Sequence, residues 1–481
     1  MKALFQHQPR AFYMIFMLEI WERFGFYTAQ GLLTLYFIRA LHLSEIQAYY
    51  TFGAFSALVY SMVAFGGYLG DKVLGTKRTL VLGLIVLSSG YFALTFASAT
   101  TIYYALALIT LGNGLFKANP SNLLSKCYSE GDKRLDNAYT LYYMAINLGA
   151  VLALIIGPTL SSHYGYSFAY FASFLAMLLA LLNYVSQKKY LAQLHSSADQ
   201  RVITLPYWII IVCSLGAMTY LCHLLLQNTL ITKRVLTGII VLCFCIYAYF
   251  MCKEDTISRS RMCVALILMA EAVLFFTLYQ QLPTSLTLFA VHHIRHQFWG
   301  INLDPQTFRV LNSFWIIILS PLMVSFYAKL EQKNISFTIP YKFALGLFCC
   351  GLGFAMLYFP RFYHDAEMMI SPLWVVASYA LQSLGELLVS ALGISMIAAL
   401  VPTHIRGFVM GMWFLTSAIA GFTGAFIASL TGIKDVRATT PVTSLLVYTD
   451  VFGKIGLCAI LISILLVFLA PKLKRMMSIS T

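Results

Sequence analysis

A chain of 481 residues that is 60% hydrophobic and only 10% charged lacks the polar surface a water-soluble fold needs, for which about 25% charged residues is usual. The composition excludes a soluble domain and puts the chain in a bilayer. Its formal net charge of +14 is accounted for by membrane topology and anionic headgroups, with no nucleic acid needed.

Apolar runs of about 18 to 28 residues, long enough for a helix to cross about 30 Å of hydrocarbon, start near Phe12, Tyr49, Thr79, Ile102, Tyr139, Ser167, Pro206, Val235, Cys263, Phe308, Tyr341, Leu373, Phe408 and Val451. They predict an all-α integral membrane protein of about fourteen spans. The first run is too long for a cleavable export signal, and it contains Glu19, Glu22 and Arg23. Each charge in the middle of a span costs roughly 2.5 to 3.5 kcal/mol, so three together call for partners or a task. On a helix, Glu19, Glu22 or Arg23, Phe26 or Tyr27, and Gln30 recur at i, i+3/4, i+7/8 and i+11. That stripe is expected to face a cavity instead of lipid.

With the N-terminus inside, the loops holding Asp71 to Arg78, Lys126 to Arg134, Lys188 to Arg201, Lys253 to Arg261, Lys329 to Lys342, Arg406 and Lys472 to Arg475 become cytoplasmic. With Lys2 and Arg10 they collect about 21 of the 32 Lys and Arg, against about 9 outside, so both termini are expected in the cytoplasm. Arg23 and Lys117 are the two left within the spans. Polar breaks at Gln187 to Arg201 and Lys253 to Arg261 divide the chain into an N-terminal six-helix bundle (1–200), two linker helices (201–260) and a C-terminal six-helix bundle (261–481). The linker spans carry almost no charge and read as lipid-facing or packing helices.

Lys117 has no acid in its own turn, so its partner is expected to be a carboxylate from another helix, Glu19 or Glu22. Glu386 is a lone acid in an apolar helix of the second half. The ten cysteines lie in apolar or cytoplasmic segments and imply no external disulfide framework, and Cys243 and Cys245 read as packing residues. His292, His293 and His296 read as a solvated external loop cluster, and no metal or cofactor is expected. The string nearest to a phosphate-binding loop, Gly70 to Lys77, has the wrong spacing, so ATP hydrolysis is unsupported. The sequence shows no H-E-x-x-H, no G-x-S-x-G and no ring-forming polar repeat, which argues against an enzyme and a passive channel.

Glu19-x-x-Glu22-Arg23-Phe24-x-Phe26-Tyr27 resembles the E-x-x-E-R-F-x-Y-Y signature of the proton-dependent oligopeptide transporter family of the major facilitator superfamily. Gly67 to Arg78 is similar to that superfamily's loop between helices 2 and 3. Gly112 to Ser121 is similar to the family's helix 4, and Tyr142 to Gly149 to its helix 5. Further blocks at Ser383 to Glu386 and Gly411 to Phe414 extend the likeness over essentially the whole chain. It is strongest to bacterial permeases of dipeptides and tripeptides, which also carry two extra helices.

The resemblance implies a proton-coupled symporter that imports dipeptides and tripeptides by alternating access, monomeric, in a bacterial inner membrane. A zwitterionic peptide needs an anion near its amino end, a cation near its carboxylate and forgiving aromatic walls. By resemblance, Glu386 with Asn312 takes the amino terminus, Lys117 lies near the carboxylate, and Asn147 binds backbone groups. Tyr27, Tyr60 and Trp413 shape side-chain pockets. Gln30 stands where many members have an arginine, and Gln280 lies where many hold a coupling acid. Glu19, Glu22, Arg23 and Lys117 are expected to exchange the proton as ion pairs break and reform, with Asp71, Lys77 and Arg78 as gating elements. A relative of the same fold carrying another solute, such as nitrate or an amine, is the alternative.

Overall fold

The computed structural model describes residues 8–129, 132, 134–192, 194, 198–298, 301–302, 304–333, 337–432 and 440–478. Lys2, Lys133 and His195 to Ser197 of the expected cytoplasmic loops lie outside these. Helices occupy all fourteen expected positions. Among the described residues, twelve segments are long and apolar enough to cross a membrane. The other two are α1 (Arg10–Arg39), which carries the three charges, and α4 (Ile102–Lys117), which α5 (Asn119–Ser125) continues after a break at Ala118. The chain is a multi-pass membrane protein.

Hydropathy marks the part of a helix that lies in hydrocarbon, not its ends. Accordingly α9 (Thr229–Lys253), α10 (Thr256–Tyr279) and α17 (Pro441–Ser478) begin six to ten residues before the expected Val235, Cys263 and Val451. Polar residues continue a helix wherever its first N–H groups find acceptors. At α10, the Asp255 carboxylate accepts from Ile257 N at 3.0 Å and Ser258 N at 3.3 Å.

The described contacts group the chain into two compact units, 1–42 with 58–229 and 43–57 with 230–481. In the first, α1 packs on α6 (Arg134–Tyr164) and α7 (Tyr166–Gln187), while α3 (Thr76–Thr95) packs on α4 and α7. The helix α8 (Leu205–Gln227), expected as the first linker, lies on α4. Lipid tails are as apolar as leucine, so helices in a bilayer associate mainly by close backbone approach at small residues. Gly66, on α2 (Glu45–Tyr68), and Gly114 on α4 meet in this way: a Cβ on Gly114 would lie 2.6 Å from the Met62 Cβ and carbonyl oxygen. Gly114→Ala is therefore expected to lower the thermal unfolding midpoint in detergent by several degrees. The control Gly238→Ala, on α9 with nothing within 4 Å, should leave it unchanged or raised.

In the second unit α10 packs on α13 (Ile339–Ala355) and α16 (Arg406–Ser429), and α13 packs on α14 (Leu373–Val389) and α17. The helix α12 (Val310–Gln332) lies against α14. The short α15 (Gly393–Leu400) follows α14. The helix α9, expected as the second linker, is tied to α10 by the Tyr247 hydroxyl, which donates to Met262 O at 2.7 Å. Leu242 and Phe244 on α9 are exposed, as a lipid-facing helix requires. Cys245 there is exposed too, against the packing role expected for it; all ten cysteines are free thiols.

The histidine cluster differs from the expected solvated loop. The helix α11 (Ser285–His293) runs through it, so successive side chains diverge: His292 is exposed while His293 is buried, its Nε2 2.8 Å from Ser444 Oγ. Beyond it, β1 (Gln297–Phe298) pairs antiparallel with β2 (Ile301–Asn302). A loop over 363–371 closes on this end: Ile370 N donates to His293 O at 2.7 Å, and Arg295 Nε to Asp365 Oδ2 at 3.0 Å. The N–H of Met369, followed by the Arg295 guanidinium, holds the Asp365 carboxyl below the usual carboxylate range. The carboxylate's support of the loop is thus present at neutral pH and is lost as pH falls through that depressed value. Asp365→Asn should reproduce the loss at neutral pH, read as severalfold faster amide hydrogen exchange at Met369 and Ile370.

Candidate functional site

In the first unit, the i to i+4 spacing of α1 places Arg23 against Glu19, with Nε and Oε1 3.2 Å apart, while the guanidinium also grips the adjacent Glu22 at 2.5 Å. The three are 2%, 0% and 4% exposed for Glu19, Glu22 and Arg23, burial that charged groups tolerate only with partners on every side. Those partners come from other helices. The Tyr142 hydroxyl on α6 donates to Glu19 Oε2 at 2.7 Å, and Asn113 Nδ2 on α4 donates to Glu22 Oε1 at 3.4 Å. Gly149 on α6 lets the two helices meet at this level, since a Cβ there would lie 2.7 Å from both Arg23 Cβ and Ile20 O.

Lys117 does not make the ion pair expected of it. Arg23, on the same helix as both acids and within one turn of each, takes them both. The Lys117 ammonium rests 4.2 Å from the ring centroid of Tyr60, a cation–π contact worth about 0.5 to 2 kcal/mol. It remains close enough to interact electrostatically with Glu19, Glu22 and Arg23. Two acids and two bases therefore share one neighbourhood, and their formal charges cancel. The α1 stripe continues through Phe26, whose ring lies 5.4 Å from the Arg23 guanidinium, to the half-buried Tyr27 and Gln30. Asn147 donates to Tyr143 O of its own helix at 3.0 Å.

The residues expected to gate tie the end of α2 to α5 and the start of α3 to the segment that precedes α8. Asp71 accepts from Asn122 Nδ2 at 2.8 Å, Lys77 Nζ donates to Leu191 O at 2.5 Å, and Arg78 Nη1 donates to Arg201 O at 2.9 Å. Gly75, at φ 88°, lets this turn lie directly on Asp199.

In the second unit, Asn312 on α12 donates Nδ2 to Glu386 Oε2 at 2.8 Å and to Ser383 Oγ at 3.2 Å, while its Oδ1 accepts from the Tyr279 hydroxyl at 3.4 Å. Asn312 and Glu386 are both half-buried, and the carboxylate, with Asn312 and the Tyr279 hydroxyl beside it, keeps acceptor capacity for a further donor. Gln280 is instead tied down, donating to Ser56 Oγ at 2.7 Å, and Gln281 is locked by Gly424 O and Ser285. Trp413 is 7% exposed, packed edge-on to Phe276 and laid flat over Gly393, where a Cβ would collide with its ring. On α10, Glu271 is buried and its Oε1 has no hydrogen-bond partner among the described residues.

Thus the structure brings together Glu19, Glu22, Arg23, Lys117 and Tyr60 in one unit and Glu386 with Asn312 in the other. Gln280, Trp413 and Asn147 are held by other contacts. Tyr142, Asn113, Ser383 and Tyr279 were not singled out from the sequence, although an amide within the apolar run of α4 is a signal that could have found Asn113.

The POT family model matches residues 77–443. The chain belongs to the POT family. It is 44% identical over 478 residues to a dipeptide and tripeptide permease B of Photorhabdus asymbiotica, covering 98% of this chain and 97% of that one. With the dipeptide and tripeptide permease B of Salmonella typhimurium it shares 43% identity over 476 residues, at 98% and 96% coverage. Among solved structures, a bacterial homologue of the human drug peptide transporters PepT1 and PepT2 superposes with a TM-score of 0.86 at 31% identity, covering 97% of this chain and 99% of that one. A peptide transporter POT in complex with sulfate gives 0.84 at 29% identity, covering 98% and 96%. This POT chain therefore has the nearly all-helical fold of solved peptide transporters, as the resemblance implied.

Proposed function

We propose that this chain is a monomeric proton-coupled symporter that imports dipeptides and tripeptides by alternating access across a bacterial inner membrane, with both termini in the cytoplasm. The observation that carries this reading is the buried Glu19–Arg23–Glu22 cluster with Lys117 beside it. Its charges balance as it stands, so a proton gained or a peptide carboxylate entering near Lys117 upsets the balance and redistributes the ion pairs. A proton on Glu22 weakens its hold on Arg23, and proton entry and peptide entry become linked events at one cluster. In the second unit, the Glu386–Asn312 pair suits a peptide ammonium: the carboxylate supplies charge and the amide oxygen a second acceptor.

Tyr27, Tyr60 and Gln30 border the carboxylate end in this scheme, Asn147 answers the peptide backbone, and Trp413 and Gln280 contribute shape. Asp71 through Asn122, and Lys77 and Arg78 through their contacts with Leu191 and Arg201, open and close the cytoplasmic end. The domain division at 200 and 260 is proposed with the same roles. The family, and the permease names of relatives near 44% identity, favour peptides over nitrate or amines. The test is uptake of labelled dialanine into proteoliposomes under an imposed inward proton gradient. Unlabelled dipeptides and tripeptides should compete and nitrate or simple amines should not. Uptake that ignores the gradient, or yields to nitrate instead, would overturn the reading.

A further inference from the structure

Away from the charged clusters, a cavity of about 440 Å³ opens in the first unit between the end of α2 and the start of α8. Its polar wall holds Lys72, Arg201 and Tyr207, and its apolar wall holds Val202, Ile203 and Ile211. Local backbone builds this wall. The last turn of α2 widens to a π-helical turn over Leu69–Val73, which carries Lys72 outward, and Arg201 Nη1 reaches across to donate to Lys72 O at 3.1 Å. A guanidinium has five N–H donors, and this bond to Lys72 O occupies only one of them. The nearest acids in sequence, Asp71 and Asp199, accept from Asn122 Nδ2 and from Lys77 N, and among the described residues no acid lines the cavity.

The cavity also lies at a particular depth. Lys72 is in the last turn of the span Glu45–Val73, and Arg201 to Ile203 immediately precede the span Leu205–Gln227. Two cations and a phenol therefore sit where apolar helix meets polar loop, while Ile211, two turns into α8, continues the apolar wall toward hydrocarbon. Val202 is 91% exposed, an apolar side chain placed where an acyl chain would cover it. Basic pockets between helices at this level have the chemistry of anionic phospholipid recognition, phosphate against cation and tail against apolar wall.

From this arrangement we infer that Lys72, Arg201 and Tyr207 form a specific site for an anionic phospholipid headgroup, whose acyl chain runs along Val202, Ile203 and Ile211. Because Arg201 also receives Arg78 through its carbonyl oxygen, the occupied site braces the segment that the gating residues grip.

The experiment is native mass spectrometry of the full chain in detergent, titrated with phosphatidylglycerol, phosphatidylethanolamine or phosphatidylcholine. The parent should retain one phosphatidylglycerol about twenty-five-fold more tightly than either zwitterionic lipid, each of the two cations being worth about a factor of five. Lys72→Gln with Arg201→Gln should abolish that preference, and the charge-matched pair Lys188→Gln with Lys189→Gln should keep it. Val202→Glu, at a position with no packing to lose, adds a repelling charge and should weaken binding about tenfold even if the double variant fails to fold. A preference that survives both Val202→Glu and the double variant, or falls equally in the charge-matched control, overturns the site. Displacement of the lipid by millimolar inorganic phosphate would assign the cavity to a free anion and overturn the lipid.

Discussion

Glu22→Gln is expected to abolish gradient-driven accumulation of dialanine while leaving counterflow exchange. Glutamine keeps the shape of glutamate and one carbonyl oxygen for Asn113, so the hydrogen bond between α1 and α4 is preserved. Arg23 retains Glu19 at 3.2 Å, and the one net positive charge left in the cluster is the same that a proton on Glu22 would give. What is lost is the exchangeable proton and half of the anionic partner set of Arg23. With one proton carried per zwitterionic peptide, a potential of 100 mV supplies about 2.3 kcal/mol, roughly a fiftyfold accumulation. The variant should fall to a ratio near one. Exchange of internal for external peptide needs only the site and its movement, so it should continue at a substantial fraction of the parent rate. Accumulation by Glu22→Gln at the parent ratio would remove this residue from the coupling scheme.

A second large effect is expected at Glu386, where binding and not energy coupling is at stake. Hydrogen bonds to charged groups contribute about 1.5 to 3 kcal/mol. Glu386→Gln should thus raise the dialanine concentration for half-maximal uptake by about ten- to a hundredfold. The amide still serves Asn312, whose other contacts, to Ser383 and Tyr279, are untouched. N-acetyl-dialanine lacks the ammonium, so the parent should bind it poorly and the variant should scarcely distinguish it from dialanine. At saturating peptide, the accumulation ratio should match the parent. If the variant still prefers the free amine by the parent margin, the amino end is read elsewhere.

Both predictions start from residues visible in the sequence, because an ionisable side chain in a 20-residue apolar run is conspicuous by its cost. The pairing of those residues was not visible. Spacing alone left Lys117 to find Glu19 or Glu22, yet Arg23 reaches both acids without leaving its own helix, and Tyr60 supplies a ring for the displaced ammonium. Tyr142 and Asn113 complete the cluster from helices more than 90 residues away in sequence, and no local period announces a contact between helices. Gln280 shows the reverse. By resemblance it stands where many relatives hold a coupling acid, and the tertiary structure engages it with Ser56.

Composition and hydropathy determined by themselves that this chain is a bundle of membrane helices, and the charges inside α1, α4 and α14 marked where its chemistry lies. Both follow from the price of exposing polarity to hydrocarbon, which each segment meets alone. The tertiary structure decided which acid holds which base, how closely Gly66 and Gly114 or Gly149 and Arg23 let helices approach, and that Lys72 and Arg201 line one cavity. Those outcomes depend on side chains that meet only after helices pack, where contact distances of 2.5 to 4.2 Å, and not sequence spacing, set the energy.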